Sequence, residues 1–229
     1  VEDLANFLNS CGAKIEGAGS SVITIEGVHT LKKTHWEVLF DRIEAGTYLV
    51  AGAITKGKVK INKIIPEKLK CLIISLEKMG FTIFCSENSI EIDARTATIK
   101  CQDFSTDPYP GFPTDMQAQL MALNCIGEGS ALITEQVFEN RFQHVKELRK
   151  MGANITLEKN SAVIKGVPNL VGSEVTASDL RASASLVLAG LIGKNRTKIN
   201  EIHHIDRGYE CIEEKLNKLG AEIIREPLP

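Results

Sequence analysis

The sequence predicts an α/β protein of repeated units, with helices apolar nearly all round at the centre and strands and amphipathic helices around them. Three observations predict it. Glycines at 12, 80, 152 and 220 each end a helical pattern, in CGAKI, MGFTI, MGANI and LGAEI, at spacings of 68, 72 and 68 residues. A second, more apolar helical pattern alternates with the first. Short runs with a period of two lie between them.

The four amphipathic helices carry apolar stripes at Leu4, Phe7, Leu8 and Cys11; Leu69, Leu72, Leu76 and Met79; Val145, Leu148 and Met151; and Ile212, Leu216 and Leu219. A glycine directly after the last apolar residue is a helix-stop signal, because a left-handed cap is unstrained without a Cβ. The strands expected next are Val22–Ile25, Phe81–Phe84, Ser89–Ile92, Ile155–Leu157 and Ala162–Ile164, with Glu87-Asn88 and Lys159-Asn160 as turns. The central helices are expected over Asp41–Lys56, Asp115–Glu128 and Asp179–Lys194, each opening on an Asp able to accept backbone N–H bonds. LVAGAI, LMALNCI and SLVLAGLI are apolar enough for the middle of a fold. Extended segments follow at Lys58–Ile61, Ala131–Ile133 and Thr197–Ile199. One unit therefore reads helix, strand, helix, strand, strand, with right-handed βαβ-type crossovers. The first copy lacks its central helix and the last its closing strand, so the chain is expected to be part of a longer one. Residues 1–39 read as the tail of an upstream domain and 40–229 as a three-unit domain.

Composition narrows the function. With 27 Lys+Arg against 29 Asp+Glu and a pI near 6.3, no global basic field attracts nucleic acid or anionic lipid. The longest uncharged apolar run, Ser185–Gly193, is far short of the roughly 20 residues of a membrane span. No signal-peptide pattern opens the chain. The six cysteines, at 11, 71, 85, 101, 125 and 211, form no CxxC pair and read as reduced thiols.

Two readings of Asp115 are open on spacing alone. It stands behind Tyr109-Pro-Gly-Phe-Pro113, where it fits a plain helix cap. The same place suits an oxyanion, and a carboxylate there can take a proton from a substrate hydroxyl. Three-fold packing of the central helices would gather Asp41, Asp115 and Asp179 at one end. Arginines stand close by in Asp41-Arg42, Asn140-Arg141, Asp179-Leu-Arg181 and Asp206-Arg207. They are either surface Asp–Arg pairs or a bidentate rim for a polyanionic small molecule. His203-His204, read as a strand, would point to opposite faces and makes no metal site. Gly17–Ser21 lacks the Lys-Ser/Thr end of a phosphate loop and reads as a hairpin turn. No Ser/His/Asp or Cys/His order suggests covalent hydrolysis.

At Asp41-Arg-Ile-Glu-Ala-Gly-Thr47, Phe112-Pro-Thr-Asp-Met-Gln-Ala-Gln119, Val137-Phe-Glu-Asn-Arg-Phe142, Ala177 to Gly190 and His204-Ile-Asp-Arg-Gly-Tyr-Glu210, the chain closely resembles the UDP-N-acetylglucosamine enolpyruvyl transferase family. The resemblance runs from residue 1 to about 226. It implies an inside-out α/β barrel fold, two domains of βαβαββ units with the active site in the cleft between them, of which this chain is the C-terminal portion. It also implies transfer of enolpyruvyl from phosphoenolpyruvate to the 3′-hydroxyl of UDP-N-acetylglucosamine in peptidoglycan synthesis, in the cytoplasm and without a cofactor. Addition at C2 with protonation at C3 gives a ketal, which eliminates phosphate. By the same resemblance Asp115 contacts the 3′-hydroxyl as base and Val137 holds the UDP-sugar through its backbone. Arg207 helps bind the phosphoenolpyruvate anion, and Asp41, Asp179 and Arg181 line the rim. The partners implied are the two substrates and the N-terminal part of the same enzyme, with neither nucleic acid nor membrane.

Two departures stand out. Phe40 replaces the family's usual Pro before Asp41, and the loop with the family's Cys acid, an N-terminal Lys and further Arg lies outside this sequence. None of the six cysteines sits in that loop motif. The shikimate-pathway relative should lack FPTDMQAQ and HIDRGYE. A non-catalytic UDP-sugar-binding remnant is the alternative of another class, and RNA 3′-phosphate cyclase is disfavoured by the neutral charge and only 12 aromatic residues.

Overall fold

A computed structural model of the chain describes residues 1–226. It divides into two compact units, Val1–Asp41 and Arg42–Pro229, the last three residues lying outside the described ones.

In the first unit helix α1 (Glu2–Ser10) is followed by the antiparallel strands β1 (Lys14–Glu16) and β2 (Thr24–Glu26), in register at Ile15 and Ile25. Pairing thus starts two residues and ends one residue further along than the Val22–Ile25 pattern suggests. Gly17–Ser21 lies in the connection, which runs over residues 17–23. Phe7 stacks at a tilt on Trp36, 6.1 Å between centroids.

The second unit contains three copies of one plan. The first copy runs α2 (Arg42–Ile54), β3 (Lys58–Asn62), α3 (Lys70–Lys78), β4 (Thr82–Ser86) and β5 (Ser89–Asp93). The second runs β6 (Phe104–Ser105), α4 (Gln117–Asn124), β7 (Ser130–Thr134), α5 (Val145–Lys150), β8 (Asn154–Glu158) and β9 (Ser161–Lys165). The third has β10 (Glu174–Thr176), α6 (Leu180–Gly190), β11 (Lys198–Asn200), α7 (His203–Asp206) and α8 (Ile212–Lys218). Helices α2, α4 and α6 pack on one another as the centre. All eight residues of α4 are buried, as a helix surrounded on every side must be.

Each turn of the repeat is closed in the same way. Gly12, Gly80, Gly152 and Gly220 have φ of +97°, +101°, +88° and +103°. The glycine N–H bonds back to Asn9, Glu77, Arg149 and Asn217, and the next N–H to Leu8, Leu76, Leu148 and Leu216. These are four Schellman caps, which only a residue tolerating the left-handed region closes without strain.

The central helices are shorter than expected, for tertiary reasons. α2 ends at Ile54 because Lys56 turns left-handed at φ 51°. α4 stops at Asn124, and α6 at Gly190, because residues that follow are drawn into parallel ladders, with Lys100 bridged to Glu128 and Val171 to Lys194. Parallel pairs β6–β7 and β10–β11 therefore flank α4 and α6 as βαβ crossovers. β6 and β10 had no clear alternation in sequence, being two and three residues long.

The sheets are separate rather than a closed barrel: β3-β5-β4, β6-β7-β9-β8 and β10-β11. The parallel pairings that would continue them are short, because each strand leaves quickly for the loop before its central helix. His203-His204 is also corrected. These residues open helix α7 with their rings 4.1 Å apart, since Glu201 at φ 57° ends the extended segment before them.

His144, fully buried before α5, places Nε2 3.2 Å from Met121 Sδ. Burial, with some help from Arg141 and against Asp179, pushes its pKa from 6.5 down to about 4. Between those values the unfolded chain binds a proton that the folded chain refuses. This site's contribution should therefore reduce stability as pH falls from about 6.5 toward 4, by up to about 1.4 kcal/mol per unit. Urea unfolding across that range should show this slope in the parent and a flatter one in His144→Phe.

Candidate active site

Pro113, extended at φ −71° and ψ 130°, leads into a single 3-10 turn, Thr114–Met116, that runs into α4. Asp115 sits on this turn. It is not a helix cap, because neither the turn nor α4 has a side-chain cap bond. Instead Arg141 Nη2 donates to Asp115 Oδ1 at 3.0 Å and Arg181 Nε donates to the same oxygen at 3.1 Å. The carboxylate is 36% exposed, and the arginines 24% and 16%. Arg141 comes from the loop after β7 and also lies over the Phe138 ring, 4.9 Å from its centroid. Arg181 comes from the first turn of α6. Burial opposes its charge, but Asp115 and Tyr209 together outweigh that and raise its pKa.

Asp179 is the cap of α6, its Oδ1 accepting the N–H groups of Arg181 and Ala182 at 2.9 and 3.0 Å. These bonds fix the first turn of α6, which carries Arg181. Asp41 is exposed and closes the first compact unit, and Arg42 places its guanidinium 5.7 Å from the Tyr109 ring centroid. Arg207 is exposed at the C-terminus of α7. Its neighbour Asp206 is held by Arg225, which donates to both its oxygens at 2.8 and 3.1 Å and also to Glu213. So Arg42, Arg141 and Arg181 each reach another segment, and Asp206 is taken by Arg225 rather than by its neighbour Arg207.

Beneath this turn a buried polar network ties the central helices together. The Thr47 hydroxyl donates to Ile43 O at 2.8 Å, so Tyr209 OH, 2.8 Å away, donates to Thr47. Gln119 Nε2 lies 3.3 Å from Tyr209 OH and donates to the Asp115 carbonyl at 2.9 Å. Burial raises the Tyr209 pKa. Thus the backbone of the Asp115 turn is anchored from α4.

One residue of the site escapes sequence reading. Glu135, buried just after β7, accepts at Oε1 from Thr106 Oγ1 (2.7 Å), Val137 N–H (2.9 Å) and Phe138 N–H (3.1 Å), and at Oε2 from Thr114 Oγ1 (2.9 Å). Val137's N–H is therefore already taken. The only signal in the sequence was an acid at the end of an alternating strand; its hydroxyl partners stand 29 and 21 residues away. Among the described residues no cluster of three His, Cys, Asp or Glu side chains is placed to hold a metal ion.

A fold of central helices under outer sheets is shared with solved enolpyruvyl transferases. The solved enolpyruvyl transferase NikO from Streptomyces tendae matches at a TM-score of 0.86 and 28% identity, over 96% of this chain and 53% of that one. EPSP synthase from Acinetobacter baumannii matches in fold at a TM-score of 0.71 and 21% identity, over 95% and 54%. The model of the EPSP synthase (3-phosphoshikimate 1-carboxyvinyltransferase) family matches residues 1–216, and the chain belongs to that family. Within it, the UDP-N-acetylglucosamine 1-carboxyvinyltransferases of Coxiella burnetii (strain Dugway 5J108-111) and Hydrogenovibrio crunogenus (strain DSM 25203 / XCL-2) are 54% and 51% identical over 98% of this chain. The chain spans about half the length of these relatives, 52% and 54%.

Proposed function

We propose that this chain carries the sugar-activating side of a UDP-N-acetylglucosamine enolpyruvyl transferase. The observation that carries the reading is Asp115, a carboxylate on a fixed turn with two guanidiniums on one oxygen. In this reading the 3′-hydroxyl of the sugar approaches Asp115, which takes its proton while the oxygen adds to C2 of phosphoenolpyruvate. C3 is protonated by an acid from outside this chain; in the elimination C3 gives a proton back to that acid's conjugate base, the C2–C3 double bond re-forms and the C2–O bond to phosphate breaks.

Phosphoenolpyruvate offers Arg141 and Arg181 a carboxylate and a phosphate, for which a planar guanidinium is well suited. Each arginine that turns to it vacates Asp115 Oδ1 for the hydroxyl. Arg207, which is exposed, adds a further positive charge to the same anion, while developing charge at C2 is stabilised by groups already in place. Val137 meets the UDP-sugar through its carbonyl, because its N–H is engaged by Glu135. Asp179 works through Arg181, and the rim role of Asp41 is the one the family resemblance implies. The 51–54% relatives favour UDP-N-acetylglucosamine over a shikimate substrate. The setting is the cytoplasmic part of peptidoglycan synthesis; among the described residues no helix is long and apolar enough to cross a membrane.

The test is phosphate release from phosphoenolpyruvate with and without UDP-N-acetylglucosamine, by this chain alone and after mixing with the N-terminal half of the Coxiella burnetii relative. Release is expected only with the sugar and only after mixing. A folded mixture that binds the sugar and releases no phosphate would replace the transferase with a binding module.

A further inference from the structure

We propose that Glu135 is a positioning residue that locks the Asp115 turn and the Val137–Phe138 segment into one rigid unit, so that both meet the same sugar in fixed relative geometry. The inference rests on the function proposed above and deepens it. A buried carboxylate has strong reason to collect donors, since each unmet lone pair in a low dielectric is costly. Glu135 is 3% exposed, and the donors it collects come from three places. Thr106 follows β6, Thr114 is the residue before Asp115, and Val137 and Phe138 begin the loop that carries Arg141.

The links reinforce one another. Thr106 Oγ1, having donated its proton to Glu135, accepts the Gln136 N–H at 3.0 Å, so three successive amides, 136 to 138, point into one cluster. Glu135's own backbone is pinned by Asn160, whose carbonyl accepts its N–H at 2.8 Å and whose Nδ2 donates to its carbonyl at 3.2 Å. The carboxylate is thus fixed from β8–β9 and in turn fixes the two sides of the site. The Asp115 turn has one other buried tie, from Gln119 Nε2 to the Asp115 carbonyl, but no side-chain cap, and the ion pairs of Asp115 are partly exposed, so Glu135 alone among these contacts joins the turn to the 136–138 segment.

Amide hydrogen exchange together with calorimetric titration of UDP-N-acetylglucosamine, in the chain mixed with the N-terminal half, tests this. Glu135→Ala should speed exchange at both 114–117 and 136–138 by about tenfold or more and weaken sugar binding by about tenfold, as expected for loss of a buried hydrogen-bond hub. Glu135→Gln keeps an acceptor oxygen at the Oε1 position and should restore protection at 136–138 and bind the sugar within about threefold of the parent. If the alanine variant does not fold, Thr114→Val removes only the Oε2 bond, and should speed exchange at 114–117 while leaving 136–138 protected. Glu135→Ala with exchange unchanged at either segment, or with both loosened and sugar affinity intact, overturns the inference. A parent mixture that binds no sugar defeats the proposed function instead, and the exchange at the two segments still decides whether Glu135 couples them.

Discussion

Asp115→Asn is expected to lower sugar-dependent phosphate release by about 10²–10⁴-fold in the assembled enzyme, the usual scale for removing a positioned base. The amide keeps nearly the same shape and one oxygen for Arg141 or Arg181, so the turn should survive. Its ion pairs are partly exposed, with Asp115 36% accessible, and contribute at most about 1 kcal/mol each to the fold. The melting temperature should therefore move little while turnover collapses. A folded Asp115→Asn enzyme within tenfold of the parent would remove Asp115 from the base role and leave it as a tether for the arginines.

The largest stability effect is expected at Gly166→Ala. A Cβ there would lie 1.6 Å from the Gly127 carbonyl oxygen and 2.8 Å from its carbon, both backbone atoms that no rotamer change can move aside. Gly127 is itself pressed on Cys101, where a Cβ would fall 2.9 Å from the amide nitrogen. Three chain segments are stacked at this point, held by Gly166 N–H to Gly129 O at 3.1 Å and Val167 N–H to Cys125 O at 2.8 Å. Separating them should cost more than about 4 kcal/mol, at the extreme end of single substitutions. Gly220→Ala is the contrast. Its Cβ meets nothing within 4 Å, so only the φ of +103° opposes it, and about 1 kcal/mol is expected. Thermal or urea unfolding of the two variants checks both figures; equal losses would show that steric stacking at Gly166 is relieved by movement of β9.

The difference between these glycines marks how far the sequence could be read. Gly220 announces itself, because its role depends on the helix just before it. Gly166 does not, because what it touches is 39 residues away in the chain. The same distinction holds at the site. Asp179 caps α6 through the N–H groups two and three residues on, a bond that local spacing predicts. Asp115 shares the motif position of Asp179 yet caps nothing, because its turn is 3-10 and two arginines from other segments claim its carboxylate.

What the sequence by itself determined was the repeat: four glycine-capped helices, three central apolar ones and the hairpin turns at Glu87-Asn88 and Lys159-Asn160, all made by interactions within a few residues and therefore visible as spacing. Tertiary structure alone decided where α4 and α6 end, since parallel ladders to distant residues draw the chain out of the helix. It also turned His203-His204 into a helix and left the sheets open. Above all it gave Glu135 its partners and Asp115 its arginines, because a hydrogen bond or ion pair between residues 20 to 70 positions apart is specified by the packing of α4, β7 and α6 and leaves no pattern along the chain.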